Sequence, residues 1–165
     1  MNILVVHGSK MGGTAGIADV VAVTLRSNGH GAAVEAAETV RSLEGYDAVV
    51  VGGALYATRW RRSAARFVKR HAAALRARPV WFFSSGPLDD SARDHEIPPT
   101  RQVARLMERV GARGHATFGG RLPPDAKGFP ARAMAKDHAG DWRDFDQVRA
   151  WAASIAEQLT AVAHG

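Results

Sequence analysis

The chain has 165 residues, of which 46% are hydrophobic and 23% charged; this indicates one globular domain over residues 1–165 and excludes a disordered chain. It has no cysteine, which excludes disulfides, thiol catalysis and thiolate metal sites. The formal net charge of +6 favours anionic partners, and because neither a secretory signal nor an apolar run of about 20 residues is visible, we expect a cytoplasmic protein without a transmembrane segment.

Apolar runs that predict buried strands alternate with segments of helical periodicity. The predicted strands are, in chain order, Asn2–His7, Ala32–Ala36, Ala48–Gly53, Pro79–Ser85 and Gly114–Leu122. The unbroken apolar character of the third strand suits a strand that is covered on both faces. The alternation therefore predicts an α/β fold, in which a parallel sheet carries helices on both sides.

The helical segments follow the same order along the chain. Apolar stripes predict helices over Thr14–Asn28, from Trp60 to Leu75, over Thr100–Val110 and after Asp144. Gly111 is expected to end the third of these, and Asp144 with Gln147 resembles a capping box at the start of the last. The segment "TVRSLEGY" predicts a weak or short helix between the second and third strands. The Pro- and Gly-rich segment 123–142 excludes one continuous helix, although "PARAMAKDH" within it suits a short one.

In a parallel sheet, ligands lie outside the carboxyl ends of the strands, so we expect the site to be formed by three of the loops that follow the strands. The loops after the first, third and fourth strands read "HGSKMGGT", "GGALYATRW" and "SSGPLDDSARDHEIPP". The first loop offers hydroxyls and flexible glycine backbone at the start of a helix, which suits a phosphate or simply a tight turn. In the second, Tyr56 and Trp60 can stack on a flat ring, or Trp60 is only the first core residue of its helix.

Several kinds of site are excluded by the same loops. The first loop lacks the Gly-Lys-Ser/Thr ending of a Walker loop, so hydrolysis of a magnesium nucleotide is not expected. Ser84 and Ser85 do not stand in a GxSxG motif, which argues against a hydrolase. The histidines lack metal-ligand spacing, so no metal site is predicted; His7 is interpreted as structural, and His95 can approach a substrate.

The three loops together carry a resemblance to a known family. The loop "SKMGGT" resembles the phosphate loop of flavodoxins, Ser/Thr-x-Thr-Gly-x-Thr. The segments "VVVGGALYATRW" and "VWFFSSGPLDD" are similar to the second and third flavin-contacting loops of the flavodoxin-domain subgroup that includes menaquinone-dependent protoporphyrinogen oxidases. The ending "GDWRDFDQVRAWA" is similar to the last helix of that subgroup, so the resemblance covers nearly the whole chain.

This resemblance implies a fold, a cofactor and a set of contacts. The fold is a flavodoxin-like three-layer α/β/α sandwich whose five-stranded parallel sheet has the order 2-1-3-4-5, and the cofactor is FMN. The FMN phosphate would be held by the first loop, namely Ser9, Lys10, Met11, Gly12, Gly13 and Thr14. The isoalloxazine would lie between residues of the second and third loops, namely Ala54, Leu55, Tyr56, Ala57, Ser84, Ser85, Gly86 and Pro87. Met11 departs from the pattern, because many flavodoxins have a hydroxyl there.

Three functions follow from the sequence and the resemblance. The first is an FMN oxidoreductase related to menaquinone-dependent protoporphyrinogen oxidase, which passes electrons from an organic substrate, with an anionic one as a candidate, to a quinone or another acceptor such as a redox protein. A quinone acceptor would allow it to lie peripherally at a membrane. The second is a non-enzymatic FMN electron carrier with an acidic protein partner. The third is a flavin-free interaction module. Eight basic and no acidic residues between Arg59 and Arg78 form the face expected to attract the anionic substrate or acidic partner, whereas no nucleic-acid motif is visible.

Overall fold

The computed structural model describes residues 1–9, 12–122 and 140–164. The central sheet has five parallel strands, which are β1 (Asn2–Gly8), β2 (Gly31–Ala36), β3 (Ala48–Tyr56), β5 (Val80–Ser85) and β6 (Gly114–Phe118). A short strand, β4 (Arg59–Trp60), pairs antiparallel with the end of β3. The order β2-β1-β3-β5-β6 is 2-1-3-4-5 when only the parallel strands are counted, and the predicted fold class is confirmed.

Helices cover both faces of this sheet. One face carries α1 (Gly13–Ser27) and the final helix α6 (Phe145–His164), and the other carries α2 (Arg62–Arg70), α3 (Ala72–Arg76) and α5 (Arg101–Val110). The smaller elements are a 3₁₀ turn (Ala37–Thr39), the one-turn helix α4 (Ser91–Asp94), and a two-stranded ribbon of β7 (Arg121–Leu122) and β8 (Gly140–Asp141). Within the described ranges, no helix is both long and apolar enough to cross a membrane.

The two-residue period of the strands divides the core between the two faces. In β1, Leu4 and Val6 belong to the apolar cluster beneath α2 and α5, whereas Ile3 and Val5 belong to the cluster beneath α1 and α6. All four side chains are fully buried. The central strands are apolar without interruption because both of their faces are covered.

Several elements differ from the prediction. The third strand runs on to Tyr56 instead of ending at Gly53, and in place of the short helix predicted in "TVRSLEGY" there is a 3₁₀ turn at Ala37–Thr39. Trp60 does not begin a helix, because it pairs with Leu55 across the β3–β4 hairpin and its backbone N–H donates to Gln102 Oε1 at 2.8 Å. The helix predicted there starts at Arg62 and is divided in two at His71. The fifth parallel strand ends at Phe118 instead of Leu122, since Arg121 and Leu122 pair with β8.

The predicted ends of the helices agree better with the structure. Gly111 ends α5 in the left-handed region, with φ at +67°, as predicted. Asp144 caps α6, since its Oδ1 accepts from the N–H groups of Asp146 at 3.1 Å and Gln147 at 3.3 Å. The Gln147 side chain donates to Ala92 O instead of returning to the cap, so the capping box is half formed. The predicted helix "PARAMAKDH" lies outside the described residues.

Candidate functional site

The three loops singled out in the sequence start side by side. Gly8 at the end of β1 pairs with Gly53 of β3, and Gly53 pairs in turn with Ser84 of β5. Because these strands are parallel and adjacent, the chain leaves the same edge of the sheet at all three places. This edge is the candidate site.

The first loop leads into α1, and the uncapped N-terminus of this helix lies at the same edge of the sheet. Gly12, the N-cap of α1, has φ at +80°, and no side chain caps the helix. The amides of Gly13, Thr14 and Ala15 have no acceptor within the helix by its geometry, and the first turn holds no acidic residue. Oriented amides at the positive end of a helix dipole attract an anion, so this turn fits a phosphate group. Lys10 and Met11 lie outside the described residues.

A buried pair of hydroxyls ties the first loop to the third. Thr14 Oγ1 lies 2.8 Å from Ser85 Oγ, and the two residues are 1% and 5% exposed. The hydrogen bond between two hydroxyls uses one proton, so the pair keeps one O–H for a further acceptor. Ser9 contributes differently, because its Oγ accepts from the Gly12 N–H at 3.2 Å and shapes the loop itself.

The second loop is a tight hairpin that contains a constrained residue. Ala57, between the paired residues Tyr56 and Arg59, has φ at +57°, and it is the non-glycine residue with positive φ in the described part of the chain. An alanine in this region is strained, and such strain is commonly found at functional sites. Tyr56 is half-buried and Ala57 is exposed, so both are accessible at the edge of the site.

Contacts at the base of the second and third loops bring predicted site residues together. A Cβ placed on Gly86 would lie 2.8 Å from Leu55 Cβ, so these two residues are in direct contact. Leu55 and Gly86 can therefore form the base of a ring site. A planar ring would have to lie above them, between the parts of the two loops that extend beyond this contact. Pro87 is held in place because its carbonyl accepts from the Gly120 N–H at 2.9 Å.

Ser84 belongs to a buried network that crosses three strands. Its Oγ receives a hydrogen bond from Trp60 Nε1 at 2.9 Å and lies 2.9 Å from His115 Nε2. Burial lowers the pKa of His115 to about 4, so the ring is neutral at pH 7, and the tautomer decides whether its Nε2 accepts from the Ser84 hydroxyl or donates to it. The Ser84 hydroxyl is therefore engaged inside the protein, and Trp60, which is 3% exposed, packs in the core. That Ser84 contacts the cofactor stays a prediction, and only its backbone groups remain available for such a contact.

Two arginines lie beside the first loop although the sequence did not predict them there. Arg143 Nη1 donates to Gly13 O at 3.4 Å, and its guanidinium forms an ion pair with Asp141 at 2.7 Å. This contact lowers the pKa of Asp141. The backbone and Cβ of Arg121 pack against Gly13 from the opposite strand of the β7–β8 ribbon. No sequence spacing points to this pair, because segment 123–139 separates the two strands of the ribbon.

The two histidines considered in the sequence occupy different environments. His7, at the end of β1, is half-buried, and burial lowers its pKa. Its Nδ1 is buried without a hydrogen-bond partner among the described residues. His95 follows α4 and is exposed, so it remains accessible from outside.

Solved structures that share this fold include flavodoxins and an oxidoreductase that is much longer than this chain. A flavodoxin from the domain Archaea is 16% identical with a TM-score of 0.66, covering 97% of this chain and 99% of that chain. A Streptococcus pneumoniae flavodoxin is 18% identical with a TM-score of 0.61, covering 98% of this chain and 99% of that chain. Rubredoxin oxygen:oxidoreductase from Desulfovibrio gigas is 14% identical with a TM-score of 0.66, and this chain covers 36% of that chain with 97% of its own length. At these identities the likeness shows the fold alone.

The family assignment comes from sequence. No curated protein matches the chain, but the family described as "Flavodoxin domain" matches residues 4–137, which is most of its length. The uncapped, acid-free first turn of α1 fits the phosphate of FMN, the cofactor of that family. The chain therefore belongs to the flavodoxin-domain family of redox proteins, and its cofactor is FMN.

Proposed function

We propose that the protein is an FMN-dependent oxidoreductase related to menaquinone-dependent protoporphyrinogen oxidase. The observation that carries the proposal is the first turn of α1, which is uncapped and free of acidic residues and is tied to the third loop through Thr14 and Ser85. Bound FMN supplies the electron transfer, and the protein supplies binding, orientation and electrostatics.

The first loop is the proposed phosphate grip. The Gly13 and Thr14 amides and the remaining hydroxyl proton of the Thr14–Ser85 pair would donate to phosphate oxygens, while Ser9, which accepts from the Gly12 N–H, keeps the loop in shape. Lys10 and Met11 would contribute backbone groups. At the same helix end, Arg143 Nη1 donates to Gly13 O while its charge is paired with Asp141, so the proposed grip depends on the amides and the hydroxyl pair.

The second and third loops are the proposed ring site. Ala54, Leu55, Tyr56 and Ala57 would line one side of the isoalloxazine, and Ser84, Ser85, Gly86 and Pro87 the other. The strained turn at Ala57 supports this assignment, because it fixes the direction of the backbone groups beside Tyr56. The protein would then present the exposed edge of the ring to a substrate and to a quinone, a partner that would place it peripherally at a membrane.

The proposed activity is tested by turnover with protoporphyrinogen and a soluble menaquinone. Each oxidation step would remove two electrons and two protons from protoporphyrinogen and would reduce one menaquinone to its quinol. We expect porphyrin fluorescence to appear at a rate proportional to protein concentration and only when the quinone is present. Absence of quinone-dependent turnover by yellow, FMN-loaded protein would rule out this activity.

A second candidate is a non-enzymatic electron carrier, favoured by the match to the flavodoxin-domain family over residues 4–137. The net charge of +6 suits an acidic protein partner for such a carrier. The same preparation distinguishes the two functions. A carrier would exchange single electrons rapidly with an acidic redox protein while leaving protoporphyrinogen unoxidised.

A further inference from the structure

An open cleft lies on the face of the molecule that carries α2 and α5. It has a volume of about 650 Å³ and begins at the turn that follows Tyr56 and Ala57. Five of its lining residues are cationic, and the others are polar except for one leucine: Arg59, Lys69, Arg101, Arg105, Arg109, Thr58, Thr100, Gln102 and Leu106. No carboxylate lines the cleft.

The positive charge of the cleft is not neutralised from within. None of its five cationic side chains has a carboxylate within 4.0 Å among the residues that the structure describes. Glu108 lies on α5 but does not line the cleft. Like charges this close repel one another, so the arrangement favours a bound counter-charge.

The arginines of α5 form a regular row. Arg101, Arg105 and Arg109 are four residues apart, which places them on one side of the helix with a rise of about 6 Å at each step. Like charges at this spacing destabilise a helix slightly. Arg59 and Lys69 add positive charge from β4 and α2. The row therefore offers separate positions for more than one anionic group.

We propose that this cleft binds a small molecule that carries at least two anionic groups, carboxylate or phosphate. Its volume falls in the range of small-molecule sites, about 300–1,000 Å³, whereas protein partners usually dock on broader and flatter surfaces. Guanidinium groups bind both oxyanions through paired N–H groups. Thr100 also lines the cleft, and its buried hydroxyl has no hydrogen-bond partner in the described part of the chain.

The cleft differs from the basic run seen in the sequence. Of that run, Arg59 and Lys69 line the cleft, whereas Arg66 and Arg70 are exposed outside it. The remaining cationic residues, Arg101, Arg105 and Arg109, come from α5, which lies beyond that run in the chain. The site does not depend on FMN, although it adjoins the second loop.

The test is calorimetric titration of FMN-loaded protein with tripolyphosphate and, separately, with citrate at constant ionic strength. We expect one saturable site for at least one of the two anions and a rise of several degrees in the Tm on its addition. Arg105→Gln should weaken binding at least tenfold. The same substitution should keep or raise the Tm of the unliganded protein at low salt, because it removes repulsion from the arginine row.

Arg70→Gln is the matched control, because it removes the same charge from the basic run outside the cleft. It should change the affinity by less than twofold. An equal loss in both variants would show general electrostatic attraction and overturn the proposal. The proposal would also be overturned if neither tripolyphosphate nor citrate bound. Binding of a polyglutamate peptide alone would overturn it too, because it would assign the surface to an acidic protein. The visible flavin spectrum checks the FMN site independently in every sample.

Discussion

At the scale of single residues, Thr14 takes part both in the proposed phosphate site and in the link between the first and third loops. Its amide belongs to the free first turn of α1, and its hydroxyl bonds to Ser85 in the third loop. A residue placed in this way positions the loops relative to each other and can still contribute one donor through the hydroxyl pair. Its removal should therefore affect the phosphate end of the ligand specifically.

Thr14→Val keeps the shape of the side chain and removes its hydroxyl. A hydrogen bond to a charged group contributes about 1.5–3 kcal/mol, so FMN affinity should fall roughly 10- to 160-fold. Riboflavin lacks the phosphate, and its affinity should change little; the two are compared by flavin fluorescence titration. Thr24→Val is the control on the same helix, because the Thr24 hydroxyl bonds to Val20 O away from the site. An equal loss of affinity for FMN and riboflavin would contradict the assignment.

At the scale of elements, the Trp60–Ser84–His115 network joins β4, β5 and β6 beneath the candidate site. The sequence predicted the parallel strands well, because buried strands appear as unbroken apolar runs. It could not predict this network, since the contact of Ser84 with His115 depends on the register between β5 and β6. Nor could it place Trp60 in a strand, because a two-residue strand has no period to detect.

The network predicts a loss of stability in acid. The pKa of His115 is about 4 in the folded protein and 6.5 ordinarily, so between these values the unfolded chain binds a proton that the folded protein does not. Stability is therefore full above pH 6.5 and falls as the pH decreases toward 4. At pH 5 the loss from this ring should be on the order of 1–2 kcal/mol.

His115→Gln tests this effect, because glutamine does not titrate. The difference in unfolding free energy between pH 7 and pH 5, measured with urea, should be smaller in the variant than in the unmodified protein. Burial also lowers the pKa of His7 and His71, so the comparison between the two proteins matters more than the absolute slope. An identical pH dependence, or a ring that titrates near its ordinary pKa by NMR, would show that His115 is not held neutral.

At the scale of the whole molecule, the fold and the sheet edge that carries the three loops follow from the sequence, but the distribution of charge around them does not. The alternation of strands and helices predicts the sheet, and parallel strands predict which edge carries the loops. The row on α5 joins Arg59 and Lys69 only because α2 and α5 pack side by side. Arg143 reaches Gly13 only through the β7–β8 ribbon. Such contacts arise from tertiary packing and leave no local pattern.

The central claim is that amide and hydroxyl donors at the end of β1 grip the phosphate of FMN. It is tested most directly by stripping the protein of flavin and titrating it with FMN and with riboflavin while following flavin fluorescence. We predict that FMN binds at 1:1 stoichiometry and at least tenfold more tightly than riboflavin, a preference that corresponds to about 1.4 kcal/mol or more from the phosphate. Equal affinities for the two flavins, or no binding of FMN at micromolar protein, would contradict the account.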